Sequence, residues 1–270
     1  MSVVIGPRFT QIVPPTPSDP DAITFLTAAG ITDTTISNAI NTLVINLKTD
    51  GIWSKMYVIY PFVGGTASTH KWNLKDPQDT NAAFRLTFNG GWTHSSTGAL
   101  PNGSTGWANT YFTTSNTTST GIQSLGCYLR NPSSVFSSTK YSIGSLGQYS
   151  IGVFALSNTN TTLRSGNITD SVVGTTGFCG QSRISTTSWF GINNSTITTL
   201  SSSSSTLGSS AINFYLSALP SPLPPNPPAP ASYGDQELAF AFIGEPLTTG
   251  EMTDFYTSVQ TFQTTLGRQI

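Results

Sequence analysis

Residues 56–65, MYVIYPFVGG, form a β-branched and aromatic run that is stopped by two glycines. Val, Ile, Tyr and Phe fit a pleated, half-buried surface, so this run reads as the first strand of the chain. From here to Leu216 similar short runs recur: LGCYLR, QYSIGVFALS, GFCGQSRIS, SWFGIN and INFYLS, each bounded by Gly, Asn, Ser or Thr. Their spacing is close to the roughly 8–12-residue rhythm of β-sandwiches. QELAFAFIG, beginning at Gln236, adds a clearly alternating strand near the end. These runs predict a mainly β chain.

The flanks read differently. Before residue 56, Ile36, Ile40, Leu43, Val44 and Leu47 fall on one face of a helix, with Thr32 or Asp33 to cap its start, Lys48 near its carbonyl end and Gly51 to close it. A shorter helix is expected from Asp21 after Pro20. At the other end Phe255, Val259 and Phe262 repeat with helical spacing, and Thr248 with Glu251 has the spacing of a capping box. The proline-rich residues 1–20 lack any amphipathic period and read as an extended arm. The expected organisation is an arm (1–20), a helical segment (21–55), a sandwich (56–246) and a C-terminal helix (247–270). SSSSSTLGSS (201–210) and SPLPPNPPAPAS (221–232) are low-complexity stretches with strand-like sequence on both sides, which makes them loops of one sandwich and not linkers.

Composition restricts function. Only 9% of residues are charged, against an average near ~25%, and the net charge is −1. Aromatics at 11% argue for a folded chain. The surface is therefore built from Ser, Thr, Asn and Gly. Lys and Arg are scattered, which gives no footprint for nucleic acid. No apolar run is long enough to insert in a membrane, and MSVVIGPRFTQIVPPTPSDP lacks the pattern of a signal peptide.

Between Asp79 and Asp235 the one acidic residue is Asp170. Glycoside hydrolysis uses two carboxylates, which would have to come from Asp76, Asp79, Asp235 or Glu237; no enzymatic activity is expected. DPQD at 76–79 reads as a turn, and no calcium spacing is present. A structural zinc would need Cys127, Cys179, His70 and His94 to converge. Free buried thiols are the preferred reading of the two cysteines, with a disulfide as the alternative. No metal and no cofactor are expected.

The stretch GGWTHSSTGALPNG, residues 90–103, concentrates the remaining chemistry. His94 beside Ser95 and Ser96 is no catalytic pair, because neighbours on a strand point to opposite faces and no G-x-S-x-G elbow presents the serine. Trp92, His94, Asn102, Trp107, Asn109 and Tyr111 instead supply flat aromatic faces and hydrogen-bonding groups suited to a sugar. Their competing reading is packing for the two tryptophans and a turn for GALPNG. In AAFRLTF, residues 82–88, alternation would set Ala83, Arg85 and Thr87 on one face and Phe84, Leu86 and Phe88 on the buried one. Gly90 and Gly91 would then break the register and turn Trp92 outward.

The block IWSKMYVIYPFVGGTASTHKWNLKDPQDTNAAFRLTFNGGWTHSSTGALPNGSTGWANTYF, with AAGITDTTISNAINTLVINLKTDG before it and FYTSVQTFQTTLGRQI at the end, resembles bacteriophage virion proteins. Those are fibre, tail or capsid-surface proteins with a concanavalin A-like, laminin-G-like jelly roll. The resemblance covers about residues 20–112 and 235–270 and brings no catalytic residues with it. It implies a two-sheet antiparallel jelly-roll sandwich, preceded by two short helices and closed by a C-terminal helix. It also implies a virion structural protein made in the host cytoplasm, self-associating as a trimer and contacting a host-surface glycan. The proline-rich residues 1–20, which the resemblance does not include, are expected to attach it to other virion proteins, because an arm without periodicity cannot bury itself in its own domain. A laminarinase-like glycan-active enzyme and a capsid-stabilising decoration protein without a ligand are the alternatives.

Overall fold

The computed structural model describes residues 17–117, 123–133, 139–146, 150–155, 160–166, 168–200, 211–220 and 229–270. The arm up to residue 16, the serine stretch 201–210 and residues 221–228 of the proline stretch lie outside the described residues.

Helix α1 (Pro20–Ala29) starts inside the segment read as arm. Asp19 is the reason: its carboxylate accepts the free amides of Asp21 and Ala22, and Pro20 occupies the first helical position, where no amide is needed. The Ser18 and Asp19 amides donate to Asn41 Oδ1, each at 2.9 Å, which ties this start to α2 (Thr34–Thr49). Asp33 caps α2, and Ile40, Leu43, Val44 and Leu47 are buried on the face that their spacing predicts. Lys48 also bridges back to Asp19 and Asp21 at 2.7 Å.

The strands follow in chain order. They are β1 (Met56–Tyr60), β2 (Thr87–Asn89), β3 (Trp92–Ser95), β4 (Gly98–Pro101), β5 (Trp107–Thr113) and β6 (Ser124–Leu129). Next come β7 (Lys140–Leu146), β8 (Ser150–Ala155), β9 (Asn160–Gly166), β10 (Ile168–Val173), β11 (Gly177–Arg183) and β12 (Trp189–Asn193). The last are β13 (Thr196–Thr199), β14 (Asn213–Leu216), β15 (Leu219–Pro220), β16 (Pro230–Ala231) and β17 (Leu238–Gly244). A four-residue helix, α3 (Ala67–His70), lies between β1 and β2, and α4 (Thr249–Thr265) follows β17.

The first sheet runs β13-β12-β11-β6-β17-β4-β3, with β1 also on β17; the second runs β10-β9-β8-β7-β14-β5-β2. Every pairing within them is antiparallel. Two sheets form the sandwich, as the strand rhythm predicts.

β17 shows how the layers are held. Leu238, Ala241 and Ile243 join the inter-sheet core with Val58, Leu125, Phe112 and Phe214, whereas Phe240 and Phe242 face the helices. A register irregularity between Leu238 and Phe240 accounts for the phase change. Phe240 and Phe242 pack with Phe25, Leu43, Leu47, Phe255, Val259 and Phe262, so the helices cover the outer face of the first sheet as a third layer. The capping box of Thr248 and Glu251 forms as its spacing predicts. Beyond α4, buried Arg268 donates to Pro61 O, Phe62 O, Ala239 O and Gln263 Oε1. Burial, together with the charge of Arg130, pushes this guanidinium down to about 9.

Two sequence expectations are settled by register. Cys127 and Cys179 are free, buried and directly opposite each other on β6 and β11. Arg183 N donates to Gln123 O across the same strands, which makes that facing pair a hydrogen-bonded one. Alternation along the ladder puts Cys127 and Cys179 at a hydrogen-bonded pair too, where Cβ atoms are about 5.5 Å apart, wider than the ~3.5–4.5 Å of a disulfide. AAFRLTF, in contrast, is not one strand. Thr80 caps a 3₁₀ turn at Asn81–Ala83, Phe84 is left-handed at φ 59°, and only Thr87–Asn89 pair as β2. Ala83, assigned to the outer face, is buried. Phe84 and Phe88 do pack against the inter-sheet core, with buried Leu86 among its members.

Candidate functional site

Five of the six candidate residues divide between two surfaces. β3 is the edge strand of the first sheet, and His94 pairs with Ala99, a member of the inter-sheet core. Trp92, two residues before His94, lies on the same face and packs against that core. Both rings meet Phe88 from the edge strand of the second sheet, at centroid distances of 5.2 and 4.6 Å. The Trp92 indole N–H points to the carbonyls of Asn89, at 3.0 Å, and Trp107, at 3.2 Å. Trp92 is thus a bolt across the open edge of the sandwich. The expectation that Gly90 and Gly91 turn it outward is corrected: Gly90 is left-handed at φ 71°, and a Cβ there would strike Thr105 O at 1.9 Å. The glycines serve a close backbone approach, and the chain re-enters the sheet with Trp92 inward.

His94 continues the bolt. Its Nδ1 lies 2.9 Å from Nδ1 of His70, which is buried and whose Nε2 accepts the Gly65 amide at 3.2 Å. A nitrogen that accepts an amide carries no proton, so His70 is protonated at Nδ1 and donates to His94, whose own proton is on Nε2. Both rings are neutral. Burial, the neighbouring His94 and Arg268 push His70 down to about 3, and burial lowers His94. The protonated His70 Nδ1 offers no lone pair to a metal. The two cysteines pair elsewhere, and among the described residues no three His, Cys, Asp or Glu gather as metal ligands.

β5 supplies the second surface. Its burial alternates, with Ala108, Thr110 and Phe112 buried and Trp107, Asn109, Tyr111 and Thr113 on the opposite, outer face of the second sheet. Pairing sets Thr87 and Tyr215 on either side of Asn109, and Asn89 beside Trp107. The Trp107 ring lies on that of Tyr215 at 4.4 Å. Asn213 pairs with Thr113 and Tyr215 with Asn109, so β5 carries extra residues over this span. Tyr111 absorbs them at φ 58°, a left-handed conformation costing an aromatic residue on the order of 1–3 kcal/mol. Side chains hold the bulge: Asn109 Oδ1 accepts the Tyr111 amide at 2.9 Å, and Thr110 Oγ1 donates to Phe214 O at 2.7 Å. The bulge aims the Tyr111 hydroxyl at Thr87 Oγ1, 2.9 Å away. The Trp107 indole N–H and the Asn109 NH₂ make no hydrogen bond among the described residues. The half-buried Trp107, Asn109 and Tyr111 thus share one outer sheet face, with buried Tyr215 beneath the Trp107 ring.

Asn102 belongs to neither surface. Its Oδ1 accepts the amides of Ser104, Thr105 and Gly106, and its Nδ2 donates to Thr105 Oγ1, so it holds the turn between β4 and β5. Tyr215 was not a sequence candidate, and INFYLS gives no sign of which strand it meets. Among the acids, Asp79 is bridged by Lys71 and Arg85, and Glu237 by Arg130 with a 2.6 Å hydrogen bond from Thr97. Asp76 accepts from Gln78 in the DPQD turn.

No protein-family model matches the chain, and no curated protein matches it. Solved structures do. The chain is similar to domain 4 of an extracellular arabinanase from Geobacillus stearothermophilus, in complex with arabinotriose, at 14% identity and a TM-score of 0.50, over 74% of this chain and 98% of that one. It is similar to a mutant Trypanosoma rangeli sialidase displaying trans-sialidase activity, at 9% identity and 0.51, over 83% of this chain and 39% of that one. The receptor-binding domain of a botulinum neurotoxin C/D mosaic serotype matches at 10% identity and 0.51, over 76% and 52%. The chain thus spans the whole arabinanase domain but about half or less of the other two. These likenesses establish the β-sandwich fold.

Proposed function

We propose that this chain is a non-catalytic carbohydrate-binding module, displayed on a phage particle, that takes a glycan on the outer face of its second sheet. The observation that carries the reading is the group Trp107, Asn109 and Tyr111, set on Tyr215 by a strained bulge, with the Trp107 and Asn109 donors unused. Aromatic faces stack on the C–H-rich faces of sugars, and an amide beside them supplies direction. A chain in which only 9% of residues are charged suits a neutral sugar. Solved sandwiches of similar fold include an arabinanase domain in complex with arabinotriose, which is consistent with the reading. Display on a virion rests on the resemblance of residues 20–112 and 235–270, with the segment before Ser18 as the attachment arm and a trimer as the assembled form.

A glycan array probed with the purified full chain tests this. The expected result is a defined set of oligosaccharide hits that are lost in Trp107→Ala and kept in Trp92→Ala preparations corrected for folded fraction. Absence of any hit from correctly folded protein sinks the reading, as does binding that Trp107→Ala leaves intact. Hydrolysis of a bound sugar that Asp→Asn at Asp76, Asp79 or Asp235, or Glu237→Gln, abolishes would make the chain an enzyme.

A further inference from the structure

We propose that His70 and His94 form an acid-sensitive clasp that ties helix α3 to the edge strand β3, where His94 and Trp92 meet Phe88 of the second sheet, and, through Trp92, fixes the backbone of Trp107. Its ligand consequence rests on the proposed binding face; the clasp itself does not.

A single proton lies between the two rings. His70 Nδ1–H donates to His94 Nδ1 at 2.9 Å, and the Gly65 amide occupies His70 Nε2. No site is left where a proton can add without breaking a bond. On His94 it must go to Nδ1, setting two N–H groups face to face. On His70 it must go to Nε2, against the Gly65 N–H. The surroundings offer no relief. Phe62 meets the His70 ring edge-on at 5.6 Å, and Phe88 and Trp92 lie against His94. The charge acting from the C-terminal tail is Arg268, of the same sign as the added proton, and no carboxylate acts on either ring. Protonation therefore separates the rings instead of being absorbed.

The sign follows. An unfolded imidazole titrates near ~6.5, whereas His70 in the folded chain is pushed down to about 3 and His94 is lowered. The unfolded or opened edge binds more protons in that window. The contribution of the clasp is complete above pH ~6.5 and is lost as the pH falls toward about 3. Opening frees the His94 ring from Phe88 and Trp92, and with it the indole N–H that reaches Trp107 O at 3.2 Å. Trp107 is the first residue of β5 and the stacking ring of the outer face. Acid thus loosens the binding face from behind.

The experiment is an NMR pH titration of the full chain from about pH 7.5 to about pH 3, following imidazole nitrogens and indole N–H resonances; indole signals that stay still over the whole range also overturn the proposal. At neutral pH His70 is expected as the Nδ1–H tautomer and His94 as the Nε2–H tautomer. Below the ordinary imidazole range the Trp92 and Trp107 indole signals are expected to move together with His94. His94→Gln, which keeps an acceptor but cannot titrate, should hold both indole signals still over the same range. An Nε2–H tautomer at His70, or His94 titrating near ~6.5 with an unmoved Trp92 signal, overturns the proposal. Both readouts work in the wild-type chain even if the variant fails to fold. Affinity for an array-identified oligosaccharide is expected to fall with the His94 midpoint. If no oligosaccharide binds at neutral pH, the binding reading fails while the tautomers and indole shifts still decide the clasp.

Discussion

Trp92 and Trp107 look alike in the sequence, both in a glycine-rich stretch beside polar residues, yet the fold uses them in opposite ways. Trp92 turns into the sandwich, packs on Phe88 and spends its indole N–H on the carbonyls of Asn89 and Trp107. Trp107 turns out of the other sheet and rests on Tyr215, and its N–H makes no hydrogen bond among the described residues. Both rings are half-buried, but one closes the edge between the sheets and the other lies on the outer face of the second. The lesson is that residue type proposes a sugar contact, but only strand register decides which ring can make one.

The comparison can be broken most forcefully at Trp92. Changing it to Ala removes a ring from the sheet edge and strands two carbonyls, which should cost about 3 kcal/mol, the lower end for a core Trp because Trp92 is only half-buried. For a chain of this size that is a Tm fall of roughly 6–12 °C by calorimetry, with glycan binding tracking the folded fraction. Next in size is Trp107→Ala. Losing the stacking ring should weaken glycan affinity about tenfold, or roughly 1.4 kcal/mol, by analogy with aromatic pairs, while Tm falls by only a few degrees. Equal Tm losses for the two variants would erase the distinction between edge and face.

Asn109→Ala sharpens the comparison inside the face. It removes both the free NH₂ and the Oδ1 that holds the Tyr111 amide, so affinity should drop by about 1 kcal/mol, roughly fivefold, as isothermal titration would measure. The smallest effect is expected from Tyr111→Phe, which deletes one half-exposed hydroxyl bond to Thr87 and should change stability by about 0.5 kcal/mol. A larger loss there would mean that the strained bulge depends on the Tyr111 hydroxyl and not on the side chains of Asn109 and Thr110.

Much of this fold was legible in the sequence because its signals are local. Helical spacing placed Ile40, Leu43, Val44 and Leu47 on the buried face of α2, and Thr248 with Glu251 marked the start of α4. The rhythm of short β-branched and aromatic runs bounded by Gly, Asn, Ser and Thr predicts the sandwich. AAFRLTF failed because Thr80 and Asn73 bind its backbone: Asn73 Nδ2 donates to Ala83 O at 3.2 Å, and alternation cannot register such a side-chain hold. Asn102 sits apart from both surfaces for a similar reason. An asparagine in a Pro-Asn-Gly turn most readily satisfies its own turn, and here it accepts three amides.

The site was half legible. Trp107, Asn109 and Tyr111 sit at alternate positions of one strand, so a shared face follows from the period of two. Tyr215 joins them only because β14 pairs with β5, a contact between distant segments that no local pattern encodes. The pairing of His70 with His94 is equally non-local, and it was weighed in the sequence only as half of a zinc site. The structure gives these imidazoles to each other.

The central claim, that the outer face and not the edge meets the ligand, is tested most directly by the indole resonances. The chain has five tryptophans, each with one indole N–H signal. Titration at neutral pH with a neutral oligosaccharide from the array should shift the Trp107 signal, whose N–H is free to donate, and leave the Trp92 signal, bound to two carbonyls, in place. A saturable shift at Trp92 with Trp107 unmoved would contradict the account.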